Sequence, residues 1–332
     1  MPKVSATHKD HLPRVIVVCG ATATGKTKLA ISLAHRFDGE IINADSRQMY
    51  QGLSIISGKD IAPGSSATVR RTVLLKGQKI VLLTYDIDSV PVWLYDVASV
   101  EDPLSVSHFQ ELAAGVMKDI VSRGKVPIVV GGTGFYLESL FHTIDSLQIP
   151  QNPEFRKMLS GEGAQLLSQK LRIVDPKRWK GMNMSDRNNP RRLLRALEVA
   201  AWKKTHTNKQ KYQTQFEPIW IGLTVDEDEI ARRIRDRVEA RLSSGALEEA
   251  KTMQHLPDIL PAASTIGLSI LLRHARGEID RDQVAELWER EEMRYAKRQM
   301  VWFKRQSGFR WYDAGDEAVS NQVVKDLHQW YT

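Results

Sequence analysis

An apolar, β-rich run, Val15–Cys19, leads without a break into Gly20-Ala21-Thr22-Ala23-Thr24-Gly25-Lys26-Thr27 and then into a helical stretch, Lys28–Phe37. That strand–loop–helix order is what Gly-x4-Gly-Lys-Thr needs to act as a phosphate-binding loop. No other segment constrains the fold as much. A run with no polar alternation fits a strand covered on both faces, and therefore a parallel sheet between helices. The glycines let successive N–H groups close around an anion, and the following helix adds its N-terminal dipole. Lys26 would neutralise phosphate charge, while the Thr27 hydroxyl would ligate Mg²⁺. Further strands are expected at Glu40–Asn43, Val126–Val130 and Pro218–Val225, with helical patterns such as His108–Arg123 between them. Strands alternating with helices define an α/β fold with a P-loop NTPase-like, mostly parallel core.

Two segments interrupt the alternation. Residues 145–212 carry no strand pattern and read as helices at Asn152–Leu159, Ala164–Val174 and Asn189–Lys204. A small all-helical domain is thus expected inside a core made of 14–144 and 213–332. Residues 64–90 hold two β-rich runs, Val69–Leu75 and Lys79–Tyr85, around Lys76-Gly77-Gln78. They predict a hairpin, placed as an added surface element beside the substrate entrance. Beyond the last of these strands, Glu227–Leu242, Leu247–His255, Thr265–Arg276 and Arg281–Lys304 read as helices.

A P-loop does not name a reaction, because kinases, NTPases and diphosphate-handling transferases all use it. Val126–Val130 ends in Gly131-Gly132-Thr133, without a carboxylate. Asp226 follows the fourth strand but opens an acidic run that suits a helix N-terminus. A nucleotide hydrolase would lack a clear second metal ligand. Lys+Arg number 47 against 40 Asp+Glu in 332 residues, a formal charge of +7 that points to a polyanionic partner. The single cysteine, Cys19, excludes an internal disulfide framework and a thiolate-rich zinc finger. No apolar run approaches the ~18 residues of a membrane span. Met1–Arg14 lacks the apolar core of a secretory signal. A cytoplasmic, monomeric chain with no membrane contact is the expectation.

Four more segments carry a resemblance: Asn43-Ala44-Asp45-Ser46-Arg47-Gln48-Met49-Tyr50, Gly131-Gly132-Thr133-Gly134-Phe135-Tyr136, the run from Asn189-Pro190-Arg191-Arg192 to Val199, and Tyr295-Ala296-Lys297-Arg298-Gln299 to Phe303. With the P-loop, in this order and spacing, they resemble the tRNA dimethylallyltransferase (tRNA isopentenyltransferase) family over residues 14 to 313. The resemblance implies transfer of a dimethylallyl group from dimethylallyl diphosphate to N6 of the adenosine just 3′ of the anticodon. The P-loop residues Gly20 to Thr27 would then hold the diphosphate, with Mg²⁺, instead of cleaving a nucleotide.

The resemblance also implies roles. Asp45 would accept the proton of the attacking amine; by position alone it is equally a cap for the following turn. Thr133 matches a residue that bonds near the target amine, and Arg233 and Arg237, one helical turn apart, match a pair beside the diphosphate. Ser46, Arg47 and Gln48 match positions that touch the target loop of tRNA. Arg156, Arg191, Arg192, Leu193, Leu194 and Arg195 would make further RNA contacts in the inserted domain. In the last long helix, Trp302 and Phe303 are expected to be core rather than base-stacking residues. The chain departs from the family at 59–93, which lacks its histidine pair, and at Thr265-Ile266-Gly267-Leu268-Ser269. Two other readings remain at this stage: prenyl transfer to free AMP, ADP or ATP, and a P-loop small-molecule kinase.

Overall fold

The computed structural model describes residues 12–62, 64–75, 77–102, 104–206, 215–257 and 260–331. Residues 1–11, Lys76 of the hairpin turn and the expected 212/213 boundary lie outside them. Among the described residues there are eight strands: β1 (Arg14–Gly20), β2 (Gly39–Asn43), β3 (Thr68–Leu75), β4 (Gln78–Ile87), β5 (Val90–Trp93), β6 (Val126–Gly131), β7 (Glu217–Thr224) and β8 (Phe309–Asp313). They form one sheet in the order β3-β4-β5-β2-β6-β1-β7-β8. From β5 to β8 all neighbours run parallel, while β3, β4 and β5 pair antiparallel.

The apolar run of β1 explains its central place. Val15, Val17 and Cys19 face one core layer, with the helices Val106–Ser122 and Gly134–Phe141. Ile16 and Val18 face another, with Lys26–Phe37 and Val319–Tyr331. Alternate side chains of a strand leave by opposite faces, so a strand covered on both sides must be apolar throughout. Burial lifts the Cys19 thiol well above its ordinary range, so it is an inert core residue. A third cluster joins Leu53 and Ile56 to the helices Glu227–Ser243, Leu268–Ala275 and Arg281–Phe303. Phe303 is fully enclosed and Trp302 packs edge-on against it, so both serve the core.

The hairpin at 64–90 is not an added surface element. Its second strand pairs with β5, and β5 pairs with β2, so β3 and β4 form the edge of the main sheet. Asp88 and Ser89, both in the left-handed region, turn the chain back tightly. The four residues of β5 then join the hairpin to the parallel core, and Ile80 and Leu82 are buried there.

Contacts divide the chain into two compact units, Met1–Phe141 with Thr214–Thr332, and His142–Gln213. Among the described residues of the second unit, the regular structure is all helical. Ala164–Val174 and Pro190–Thr205 pack around Leu167, Leu171, Leu193 and Leu197. Among the described residues, no helix is long and apolar enough to cross a membrane.

Candidate active site

Because β1, β2 and β6 are adjacent and parallel, their C-terminal ends deliver three loops to the same edge of the sheet. Open α/β sheets bind their ligands at that edge. A cavity of about 530 Å³ opens there, lined by Lys26, Thr27, Asp45, Gly132, Arg233 and Arg237 among others. The P-loop needs glycine at its start: Gly20 has φ +150, and a Cβ there would lie 2.6 Å from the Leu223 carbonyl oxygen. The helix Lys26–Phe37 begins on Gly25 with no acidic residue in its first turn, so its N–H groups and dipole stay available to an anion. Thr24 Oγ1 and Lys26 Nζ both donate to the Ala21 carbonyl, at 2.8 and 2.6 Å.

Lys26 has its pKa lowered to about 8. Burial is the main cause; Asp45 pulls it up and Arg237 pushes it down. The ammonium is the form that pairs with phosphate, and a bound anion raises its proton affinity. Inorganic pyrophosphate is therefore expected to bind with proton uptake by Lys26 at pH 8.5, and to lose affinity as pH rises above about 8. Calorimetry in two buffers of different ionisation enthalpy, with Lys26→Met subtracting the titration of pyrophosphate itself, checks this. Equal proton uptake in the variant would remove Lys26 from the anion.

Asp45 is held by its neighbours. The Asn43 side chain accepts from the Asp45 N–H at 3.0 Å, and Asp45 Oδ1 accepts from the Arg47 N–H at 3.0 Å. Asp45 thus caps its turn, and it also lines the cavity. Thr133 Oγ1 accepts from the Ser46 N–H at 3.2 Å, which ties the β6 loop to the β2 loop. Arg47 donates to the Pro261 carbonyl at 2.6 Å and to Ser264 Oγ at 2.8 Å, and Gln48 donates to the Gly58 carbonyl at 2.8 Å. Tyr295 hydrogen-bonds Thr133, and burial and the Asp45 charge keep its hydroxyl protonated.

Arg237 Nη1 donates to Thr22 Oγ1 at 2.5 Å, and Arg233 Nε to Glu229 at 2.6 Å. Gln299, quoted above without a role, bridges two of the loops. It accepts from the Thr22 N–H at 2.8 Å and donates to the Gly132 carbonyl at 2.8 Å. Its partners lie 277 and 167 positions away in the chain, so no local pattern announces it.

In the helical unit, the expected RNA residues divide. Arg191 and Arg192 are exposed at the start of Pro190–Thr205, and Arg192 pairs with Asp186. Arg156 and Arg195 instead converge on the buried Glu198, which also accepts from the Asn152 N–H. Arg195 further donates to the Ser146 and Ile149 carbonyls, both at 2.6 Å. Leu193 is fully enclosed and Leu194 packs beside it. Leu193 faces inward on an amphipathic helix, so its side chain belongs to the core of the helical unit.

The donors near the P-loop suit Mg²⁺. The Thr27 hydroxyl lies in the cavity wall with the Asp45 and Asp60 carboxylates, all hard oxygen donors. No group of three or more His, Cys, Asp or Glu is clustered for a metal among the described residues. A small, strongly hydrated cation carried largely by phosphate oxygens and water matches such a site better than a caged metal does.

Comparison with known proteins gives a consistent picture. The family described as IPP transferase matches residues 84–306, and that described as isopentenyl transferase matches residues 13–81. A tRNA dimethylallyltransferase of Anoxybacillus flavithermus is 33% identical over 320 residues, covering 95% of this chain and 94% of its own. One from Acetivibrio thermocellus is 32% identical over 327 residues, covering 95% and 96%. The crystal structure of a full-length tRNA isopentenylpyrophosphate transferase from Bacillus halodurans superposes with a TM-score of 0.65 at 28% identity, covering 96% and 95%. A eukaryotic dimethylallyltransferase acting on tRNA shares the fold, with a TM-score of 0.72 at 23% identity over 95% and 78%.

Proposed function

Since this chain belongs to the IPP transferase family and is similar along its length to tRNA dimethylallyltransferases, we propose that it moves a dimethylallyl group from dimethylallyl diphosphate to N6 of the adenosine 3′ of the anticodon. One observation carries the reading: the ends of β1 and β2 put an anion cradle and the Asp45 carboxylate on one cavity, and the Thr133 hydroxyl after β6 is bonded to the loop that carries Asp45.

The chemistry follows from those groups. The exocyclic amine of adenine is a weak nucleophile, its lone pair being drawn into the ring. As its nitrogen bonds to the allylic carbon, the C–O bond to diphosphate breaks and the amine proton passes to Asp45. Thr133, fixed by the Ser46 N–H, stands beside that transfer and orients the amine. Negative charge grows on the departing diphosphate, where the P-loop N–H groups, Lys26, Arg233 and Arg237 stabilise it. Mg²⁺, when bound through Thr27 and the phosphates, adds charge neutralisation there. Arg191 and Arg192 of the helical unit, with Ser46, Arg47 and Gln48 beside the catalytic carboxylate, are assigned to RNA. We place the enzyme in the cytoplasm, as a monomer, with its tRNA.

Labelled dimethylallyl diphosphate and Mg²⁺, offered with unmodified tRNA or with AMP and ATP, test the proposal. Label in tRNA alone is the expected result. Label in the free nucleotide would make this an adenylate prenyltransferase. ATP turnover or phosphate transfer without prenyl transfer would return the P-loop to nucleotide chemistry.

A further inference from the structure

Arg233, Arg237 and Arg241 follow one another at four-residue spacing along Glu227–Ser243, so they share a face. The first two line the cavity. Arg241 lies behind them, its side chain 7% exposed, and donates through Nη1 to Glu292 at 2.8 Å. Its Nε and Nη2 are buried without a hydrogen-bond partner among the described residues. Glu292 is therefore the one acceptor holding this guanidinium among them.

Glu292 has a second claimant. Its carboxylate is kept ionised against the cost of burial by Arg237 and Arg241 together, with Thr22 also hydrogen-bonded to it. The Thr22 hydroxyl has one proton, which goes to Glu292, and its lone pair accepts from Arg237 Nη1 at 2.5 Å. The two guanidiniums converge: a Cβ on Gly58 would meet Arg241 Nη2 at 1.9 Å and Arg237 Nη2 at 2.7 Å. One buried carboxylate thus sits among two arginines and a P-loop hydroxyl. Left with a single arginine, it would draw that arginine into a closed ion pair.

We propose that Arg241 is a positioning residue that neutralises Glu292, leaving Arg237 on the cavity side to bind the diphosphate. This rests on the diphosphate reading of the cavity. Without Arg241, Arg237 turns from the anion to Glu292. Removing the carboxylate as well returns Arg237 to the cavity, because nothing then competes for it.

Calorimetric titration of the full chain with inorganic pyrophosphate, backed by thermal unfolding of each variant, tests this. Arg241→Met is expected to weaken pyrophosphate binding by about tenfold or more, the size of one lost charge-assisted hydrogen bond. Glu292→Gln is expected not to weaken it at all, and the double variant to recover to within about threefold of wild type, since neutral groups often replace a buried ion pair without unfolding the chain. Should Arg241→Met fail to fold, Glu292→Gln decides by the sign of its effect. Unchanged binding in Arg241→Met would overturn the inference. So would a double variant as weak as the single, since Arg241 would then touch the anion itself, and so would weaker binding in Glu292→Gln. A wild-type chain that takes up no pyrophosphate, like Lys26→Met, would instead defeat the diphosphate reading.

Discussion

Asp45→Asn is expected to lower kcat by about 10²–10⁴-fold, the usual worth of a positioned general base, while leaving tRNA affinity unchanged. Asparagine is the informative replacement. Its amide oxygen still accepts from the Arg47 N–H, so the turn after β2 keeps the bond that Asp45 Oδ1 now makes at 3.0 Å. What it loses is the ability to take a proton. Asp45→Ala removes both, and should show the same fall in kcat with an additional loss of stability near ~1 kcal/mol, as when a side-chain cap is deleted. Steady-state kinetics with saturating dimethylallyl diphosphate, filter binding of tRNA and thermal unfolding separate these effects. A variant keeping more than a tenth of wild-type kcat would exclude Asp45 as the base. Parallel losses of binding and turnover would make it an RNA contact instead.

The parts of this site that act through local chain geometry were legible in the sequence. The P-loop, Asp45 and Thr133 each follow an apolar strand, and adjacent parallel strands must bring their loops to one edge. Elements set by distant partners were not legible. β5 has four residues, in a stretch where no strand was expected, and missing it detached the hairpin from the sheet. β8, Phe309–Asp313, has no fully buried residue, so as an edge strand it carries no apolar run. Arg241 and Glu292 are 51 positions apart, and on the sequence each reads as one more charge on a helix rich in them. Gln299 is equally silent, because its function is to join two loops that the fold alone brings together. Arg156 and Arg195 were expected at the RNA from the family resemblance. Their partner, a buried glutamate, is visible only once the helices pack.

That glutamate gives the largest expected stability effect in the helical unit. Burial alone would raise the pKa of Glu198, but hydrogen bonds from Arg156, the Asn152 N–H and Arg195 outweigh it and hold the carboxyl below its ordinary range. A depressed carboxylate contributes stability that is present above the unfolded-state pKa and is lost as pH falls through the folded one. Glu198→Ala removes that contribution at neutral pH and leaves the Arg195 clamp on Ser146 and Ile149 without its anchor. Breaking a fully buried pair costs about 3–5 kcal/mol, but Arg156 and Arg195 are 35% and 28% exposed and regain water, so about 2–4 kcal/mol is expected. Hydrogen exchange should then accelerate at residues 150–156 and 190–206 and stay unchanged along β1 and β6. Transfer to tRNA should fall through a higher KM for tRNA, with the pyrophosphate affinity of the cavity intact. If exchange in the helical unit is unaltered while tRNA binding is lost, Arg156 and Arg195 belong to the RNA after all, and Glu198 only tunes their charge.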